Sequence, residues 1–514
     1  MKFGAKLGGL LNTFLRVGSV AAVLALEIGV IVAAVLTLQR SAAYVYLLMQ
    51  LCSVPLIYLM VTKEPRYKLN WVLIIMLLPG GGYILYFMWG SRREFSWFNR
   101  RFRRAEHEVS ERLPIRAETE QRCYARYPNE APVGRYLARA GYPAYPNGDT
   151  RFFGCGEEMY QSLIPDLKAA QQSIHIEMFI LDKGSIWDEI FAILKEKAAA
   201  GLDVRLLLDD FGSLRISTPA FRRRVRAAGI QLAFFAPINK DILHVSFNFR
   251  THQKYILIDG KIGYTGGINL ADEYFDRKRR FGYWKDAATR VAGEAVRSME
   301  GLFQIMWQVC TGERRPLPEA APPAQEKEQA QEAFVRPFAG GPAKNPDNPV
   351  QVLYDMVIDR AAKYLYITTP YLVLDRQMIS SLVRTAKSGV DVRIMMPGIY
   401  DKSYVHAVSR HNFGPLLRAG VRIFEYTPGF LHAKLLVADG NLGICGSVNL
   451  DFRSLWEHYE CGSLFSGGQV VQDIERDILG IQSQSREVLY ETWKHRSLWD
   501  KLCEEVLCLL APLM

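Results

Sequence analysis

The chain has 514 residues, too many for one ordinary domain, so two or three globular units are expected. A formal charge of +10 favours an anionic partner, nucleic acid or acidic lipid, and composition alone does not choose between them. The eight cysteines include no CxxC pair and no regular framework, which argues against a disulfide scaffold and for ordinary thiols in a reducing compartment.

From the amino terminus, residues 17–38 carry a single charge, Glu27, and are long enough to span a bilayer. Residues 43–62 form a second candidate span and residues 71–89 a third, the last with Trp71 and Trp89 at its ends and Pro79-Gly80-Gly81-Gly82 inside it. Residues 1–90 are therefore read as a transmembrane anchor of two to three spans. A basic juxtamembrane connector occupies 91–134, and its SRREFSWFNRRFRR run interleaves Phe95, Trp97, Phe98 and Phe102 with arginines, as suits an anionic membrane surface. That concentration of Arg favours a cytoplasmic position for the globular part of the chain.

From residue 135 the pattern turns to alternating strands and helices. SIHIEMFIL at 173–181 reads as a strand, 185–200 as an amphipathic helix, and GLDVR at 201–205 leads into the apolar strand LLLDD. The order then repeats: a strand at 364–369, a helix at 377–388, and GVDVR at 389–393. The expected architecture is α/β, two duplicated sandwich lobes at 135–310 and 349–514, with parallel strands and helical crossovers. Between them, 311–348 is rich in Pro, Ala, Glu and Gln and reads as a linker. The second lobe ends in an amphipathic helix from Leu498, expected to pack on a lobe, with the membrane interface as its alternative place.

Each lobe carries one copy of a polar signature: THQKYILIDGKIGYTGGIN at 251–269 and LHAKLLVADGNLGICGSVN at 431–449. His252, Lys254, Asp259 and Asn269 recur as His432, Lys434, Asp439 and Asn449 at identical spacing. His-x-Lys on an extended segment places both side chains on one face, and the Asp-Gly pair beyond it is hairpin chemistry that returns the chain and brings the Asn alongside. Two such half-sites facing each other put two imidazoles at one phosphate. One attacks phosphorus, the other protonates the leaving alkoxide, and Lys254, Lys434, Asn269 and Asn449 hold the phosphate oxygens, with no metal and no cofactor required. Asp259 and Asp439 complete the motif and are counted with its catalytic set, although their place at the turn suits bracing the fold more than touching substrate. Asp209-Asp210 lacks a third ligand for a cation, while Glu177 and Tyr371 border the pocket or serve the fold. The basic run Arg277 to Arg280 is a solvated loop or the mouth of the site.

The paired HxKxxxxD motifs resemble the phospholipase D superfamily, and GGINLADEY and GSVNLDFRS resemble bacterial cardiolipin synthases, over about residues 135 to 514. The resemblance implies one pseudo-two-fold catalytic unit, His252 as nucleophile and His432 as acid and base, and Asp286 and Glu460 as the acids that orient the histidines. It implies a cell-membrane phosphatidyltransferase that makes cardiolipin from phosphatidylglycerol and engages anionic phospholipid and bilayer, not nucleic acid. A hydrolysing phospholipase D and an inactive lipid-binding scaffold are its rivals. His458 departs from the pattern, standing where these synthases usually have Asn.

Overall fold

The computed structural model describes residues 44, 51, 68–77, 82, 86, 96–113, 115–237, 249–317, 333–344 and 347–508. The expected spans at 17–38 and 43–62 fall outside these residues, apart from positions 44 and 51, and most of the third does too. A helix runs over Lys68–Leu77. No helix among the described residues is long and apolar enough to cross a membrane. The chain divides into two compact units, one of residues 1–95 with 241–247 and one of 96–240 with 248–514. The second unit holds both copies of the polar signature.

Two mixed sheets dominate that unit. The first orders its strands Asp149–Phe153, Ala288–Ala292, Ile262–Gly266, Tyr255–Ile258, Ser173–Met178, Asp203–Asp209 and Gln231–Phe235. The second repeats the order with Phe334–Gly340, His458–Ser466, Leu442–Gly446, Leu435–Ala438, Tyr364–Thr368, Asp391–Pro397 and Arg422–Tyr426, flanked by two short strands. Only half of each sheet follows the parallel expectation. Ser173–Met178, Asp203–Asp209 and Gln231–Phe235 are parallel, joined by helices Ser185–Ala199 and Pro219–Ala227. Tyr255–Ile258, Ile262–Gly266 and Ala288–Ala292 run antiparallel. The antiparallel half exists because Asp259 and Gly260 both take positive φ, 54° and 61°, as do Asp439 and Gly440 at 53° and 73°. They are the central residues of turns closed by the Lys261 N–H on the Ile258 carbonyl and the Asn441 N–H on the Ala438 carbonyl, with three residues between the paired strand ends.

The segment expected as a linker is in part a core element. Phe334–Gly340 is buried at all seven positions and pairs antiparallel with His458–Ser466. Its apolar side chains, Phe334, Val335 and Phe338, outweigh the composition of the residues before it. The connector also departs from expectation. Helix Ser96–Ser110 turns Phe98 onto Phe235 and Tyr459 and Phe102 onto Tyr459, with ring centroids 5.2–5.7 Å apart, so these two aromatics serve protein packing rather than a lipid surface. Further along, Glu120 of helix Ala117–Arg126 forms a buried ion pair with Arg336 at 2.8 Å. At the carboxyl end, helix Leu498–Cys508 packs Leu507 and Cys508 against Val373, Val405 and Val408, while Leu498, Trp499, Leu502 and Val506, expected in the same packed stripe, are exposed.

Candidate active site

The two lobes exchange strands where the motifs begin. Arg250–Thr251, just ahead of His252, pairs parallel with the start of His458–Ser466 in the second sheet. Gly429–Leu431, just ahead of His432, pairs parallel with Tyr283–Lys285 from the first lobe. The registers match: the residue two before each His faces the residue two before an acid, Arg250 with His458 and Phe430 with Trp284. Backbone hydrogen bonds lock the exchange, the His252 N–H donating to the Tyr459 carbonyl at 2.8 Å and the His432 N–H to that of Lys285 at 2.7 Å.

The outcome is a crossed pairing. His252 of the first lobe sets Nδ1 2.9 Å from both carboxylate oxygens of Glu460 in the second. His432 of the second lobe sets Nδ1 2.6 Å from Asp286 Oδ2 in the first. Both carboxylates are fully buried. The Ser447 hydroxyl donates to Glu460, and the Ala287 N–H donates to Asp286 at 2.8 Å. An acceptor at Nδ1 makes that nitrogen the N–H and leaves Nε2 with its lone pair.

Both imidazoles line one cavity of about 630 Å³. Asn269, Asn449, Tyr274, Trp284, Phe430 and His458 share its wall, with Arg215, Arg280, Lys402 and Arg453 also lining it. Lys254 and Lys434 lie buried behind the histidines, each Nζ donating to the carbonyl of the His two residues earlier. Asn269 is spoken for: its Oδ1 accepts from the Ile180 N–H at 3.0 Å and its Nδ2 donates to the Tyr274 hydroxyl at 2.8 Å. Asn449 keeps Oδ1 buried without a hydrogen-bond partner.

Asp259 and Asp439, placed by sequence with the catalytic set, are not brought to this cavity. The Asp259 carboxylate accepts the N–H groups of Gln171, Gln172 and Ser173, and Asp439 those of Ala362, Lys363 and Tyr364. Each thus ties its hairpin to the start of the neighbouring strand, where a substrate is out of reach. Asp209 is likewise consumed by the N–H groups of Phe211, Gly212 and Thr251, and Glu177 accepts from the Thr251 hydroxyl at 2.6 Å. Tyr371 reaches the cavity wall and donates to Asp401 at 2.7 Å. Of the basic run only Arg280 lines the cavity; Arg277, Lys278 and Arg279 pair with Glu189, Glu273 and Asp276.

The electrostatics of the cavity favour an anion over a cation. Burial, reinforced by the charge of Lys254 and Lys434, pushes His252 well below the ordinary imidazole range. Burial and Lys434 bring His432 down to about 4 against the pull of Asp286. Burial lowers Lys254 to about 8 against Glu460, and Lys434 to about 7 against Asp286, with Lys254 deepening the latter shift. Burial pushes the Asp286 carboxyl up, but His432 and Lys434 outweigh it and hold it below its usual value. Positive charge is disfavoured on every base here, so an anion entering the cavity relieves all of them together. Among the wall residues that sequence reasoning passed over are Trp284 and Tyr274. Their signal is positional, Trp284 lying two before the acid and Tyr274 five after the motif Asn.

A family described as "Cardiolipin synthase, PLD-like domain" matches residues 163–307 and 354–481. A cardiolipin synthase of Geobacillus kaustophilus is 32% identical over 474 residues, covering 90% of this chain and 92% of the relative. An uncharacterized protein of Streptococcus mutans is 37% identical over 387 residues, 74% of this chain and 82% of its own. Among solved structures, the phosphatidylserine synthase of Haemophilus influenzae superimposes with a TM-score of 0.57 at 16% identity, over 74% of this chain and all of that one, which speaks for the shared fold. With the matched residues carrying both HxK motifs, the chain belongs to the cardiolipin synthase family of phospholipase D-like proteins.

Proposed function

We propose that this protein is a phosphatidyltransferase that joins two phosphatidylglycerol molecules into cardiolipin and free glycerol. Its membership of the cardiolipin synthase family supports the reaction. The observation that carries the mechanism is the crossed pair of buried carboxylate–imidazole contacts opening on one cavity.

His252 Nε2 attacks phosphorus, the N–P bond forms, and the bond from phosphorus to the glycerol oxygen breaks. His432 supplies the proton that leaves with glycerol. In the second half the terminal hydroxyl of another phosphatidylglycerol gives its proton to His432 while its oxygen displaces His252 from phosphorus. Glu460 stabilises the cationic phosphoimidazole, and Asp286 holds His432 in the tautomer that presents Nε2. Lys254, Lys434 and Asn449 neutralise or bond the phosphate oxygens, with Asn269 shaping the wall beside them. Burial and the Lys434 charge disfavour a protonated His432, and a bound anion offsets them, so substrate arrival itself arms the acid. No nucleotide is consumed, since one phosphodiester replaces another.

Residues 1–90 anchor the enzyme in the cell membrane with the lobes at 135–310 and 349–514 on the cytoplasmic side, which concentrates the lipid acceptor relative to water. Purified protein in mixed micelles of phosphatidylglycerol alone tests the reading: cardiolipin and glycerol in equal amounts are expected. Phosphatidic acid as the main product would make it a hydrolase, and no turnover would make it a scaffold.

A further inference from the structure

His458 takes no part in the bond making and breaking of phosphatidyl transfer, yet it stands against the nucleophile. Its ring centroid lies 5.7 Å from that of His252 and 6.4 Å from Phe179, and it lines the cavity. Both of its ring nitrogens are buried without a hydrogen-bond partner. The nearest carboxylate oxygen, Glu460 Oε1, is 3.8 Å from Nδ1, beyond hydrogen-bond length, and that carboxylate is already engaged by His252 and Ser447. An imidazole with both nitrogens buried and unused carries a desolvation cost that something in the working site offsets.

Two ligand chemistries fit such a group. His252, His458 and Glu460 bring one ligand atom each to within 4.8 Å of one another, a two-imidazole, one-carboxylate set that suits zinc. The field decides against it. Lys254 and Lys434 stand behind these groups, and a dication would meet the same positive potential that drives protons off His252. An anion would be drawn in by it.

We infer that His458 is a phosphate-binding residue, its imidazole N–H donating to a non-bridging oxygen of the phosphodiester on the flank of His252. The inference rests on the phosphatidyl-transfer reading of this site and adds a residue to it. Position supports the assignment. The register equivalent in the other half-site is Trp284, two residues before Asp286, which likewise lines the cavity and leaves its indole N–H buried without a partner. Displacement in line with the His252–phosphorus bond puts the leaving glycerol and the incoming acceptor on the side away from His252. A donor beside His252 therefore touches the phosphoryl group that is kept through both halves of the reaction. It governs how tightly the donor lipid binds and leaves acceptor choice alone.

The test compares wild type, His458→Asn and His458→Leu as full-length proteins. His458→Leu is expected to raise the KM for phosphatidylglycerol about tenfold with kcat changed much less, as loss of one hydrogen bond to a charged group implies. The ratio of cardiolipin to phosphatidic acid should stay the same. His458→Asn, which retains an N–H donor, should restore most of the KM. Equilibrium dialysis with radiolabelled orthophosphate reads the same contact without turnover, so it stands even if wild type transfers no lipid, a failure of the reaction rather than of this contact. Weaker phosphate binding in His458→Leu, recovered in His458→Asn, supports the inference. Unchanged phosphate binding overturns it, as does a shifted product ratio, which would move His458 to the acceptor, or zinc inhibition abolished by His458→Asn at unchanged KM, which would make it a cation ligand.

Discussion

The two halves of the site share a backbone plan and differ in what surrounds the imidazole. Around His252 the environment is the more polar, with Glu460 braced by the Ser447 hydroxyl, His458 alongside and a single aromatic ring, Phe179, centred 4.9 Å away. Around His432 it is aromatic, with Tyr274, Trp284 and Phe430 centred 5.5–5.7 Å from its ring. On the proposed roles, this duplicated frame is furnished differently for unlike tasks. The polar half suits a group that becomes a charged phosphoimidazole. The aromatic half suits a proton donor and acceptor that must pass its proton between lipid hydroxyls without losing it to water.

The sharpest way to break this comparison is to remove each ring in turn. His252→Ala and His432→Ala should each reduce cardiolipin formation at least about a thousandfold. A p-nitrophenyl phosphodiester, whose leaving group needs no proton, should recover liberation of nitrophenolate in His432→Ala and not in His252→Ala. The reverse pattern would exchange their roles. Next come the crossed carboxylates. Glu460→Gln and Asp286→Asn should each cost about a hundredfold or more by releasing the tautomer of a histidine in the opposite lobe. With the nitrophenyl substrate only Glu460→Gln should remain impaired; equal impairment would deny the division of labour.

A smaller effect tests the aromatic half. Trp284→Ala opens the wall beside His432, and the fraction of phosphatidic acid among products should rise several-fold as water competes for the intermediate. An unchanged fraction would leave the aromatic lining as packing alone. A separate effect, read apart from catalysis, is on stability. His432 titrates near about 4 in the native site, below its unfolded value, so between the ordinary imidazole pKa and about 4 the unfolded chain binds a proton the native chain refuses. Stability contributed by the neutral ring is present above roughly pH 6.5 and falls as acid is added, by on the order of 3 kcal/mol once pH passes below the native value. Thermal melts taken from neutral toward acid should therefore fall more steeply for wild type than for His432→Gln; parallel curves would exclude the effect.

Much of this was legible in the sequence because it is local or repeated. The spacing of His252, Lys254, Asp259 and Asn269, matched by His432 to Asn449, announced two half-sites, and Asp-Gly announced the hairpins that form at positive φ. What sequence could not show depends on contacts between residues far apart. That Glu460 serves His252 and Asp286 serves His432 comes from strand exchange between lobes, which has no signature at short range. Phe334 to Gly340 hid behind a Pro- and Glu-rich stretch, and Phe98 and Phe102 looked like lipid-facing aromatics because their arginine neighbours drew attention from Phe235 and Tyr459. The turn aspartates were placed with the catalytic groups by motif, although their carboxylates are saturated by backbone N–H groups.

The crossed wiring of the histidines has a consequence for inheritance. A gene duplication ordinarily frees one copy to drift, but here each repeat holds the partner of the other's reactive ring, so neither half-gene can decay without silencing its sibling. Asp286 stands 146 residues from His432 and Glu460 stands 208 from His252, so losing either acid strips a ring in the other repeat of its partner. The ancestor of such a protein, if it held one repeat, was obliged to work as a pair.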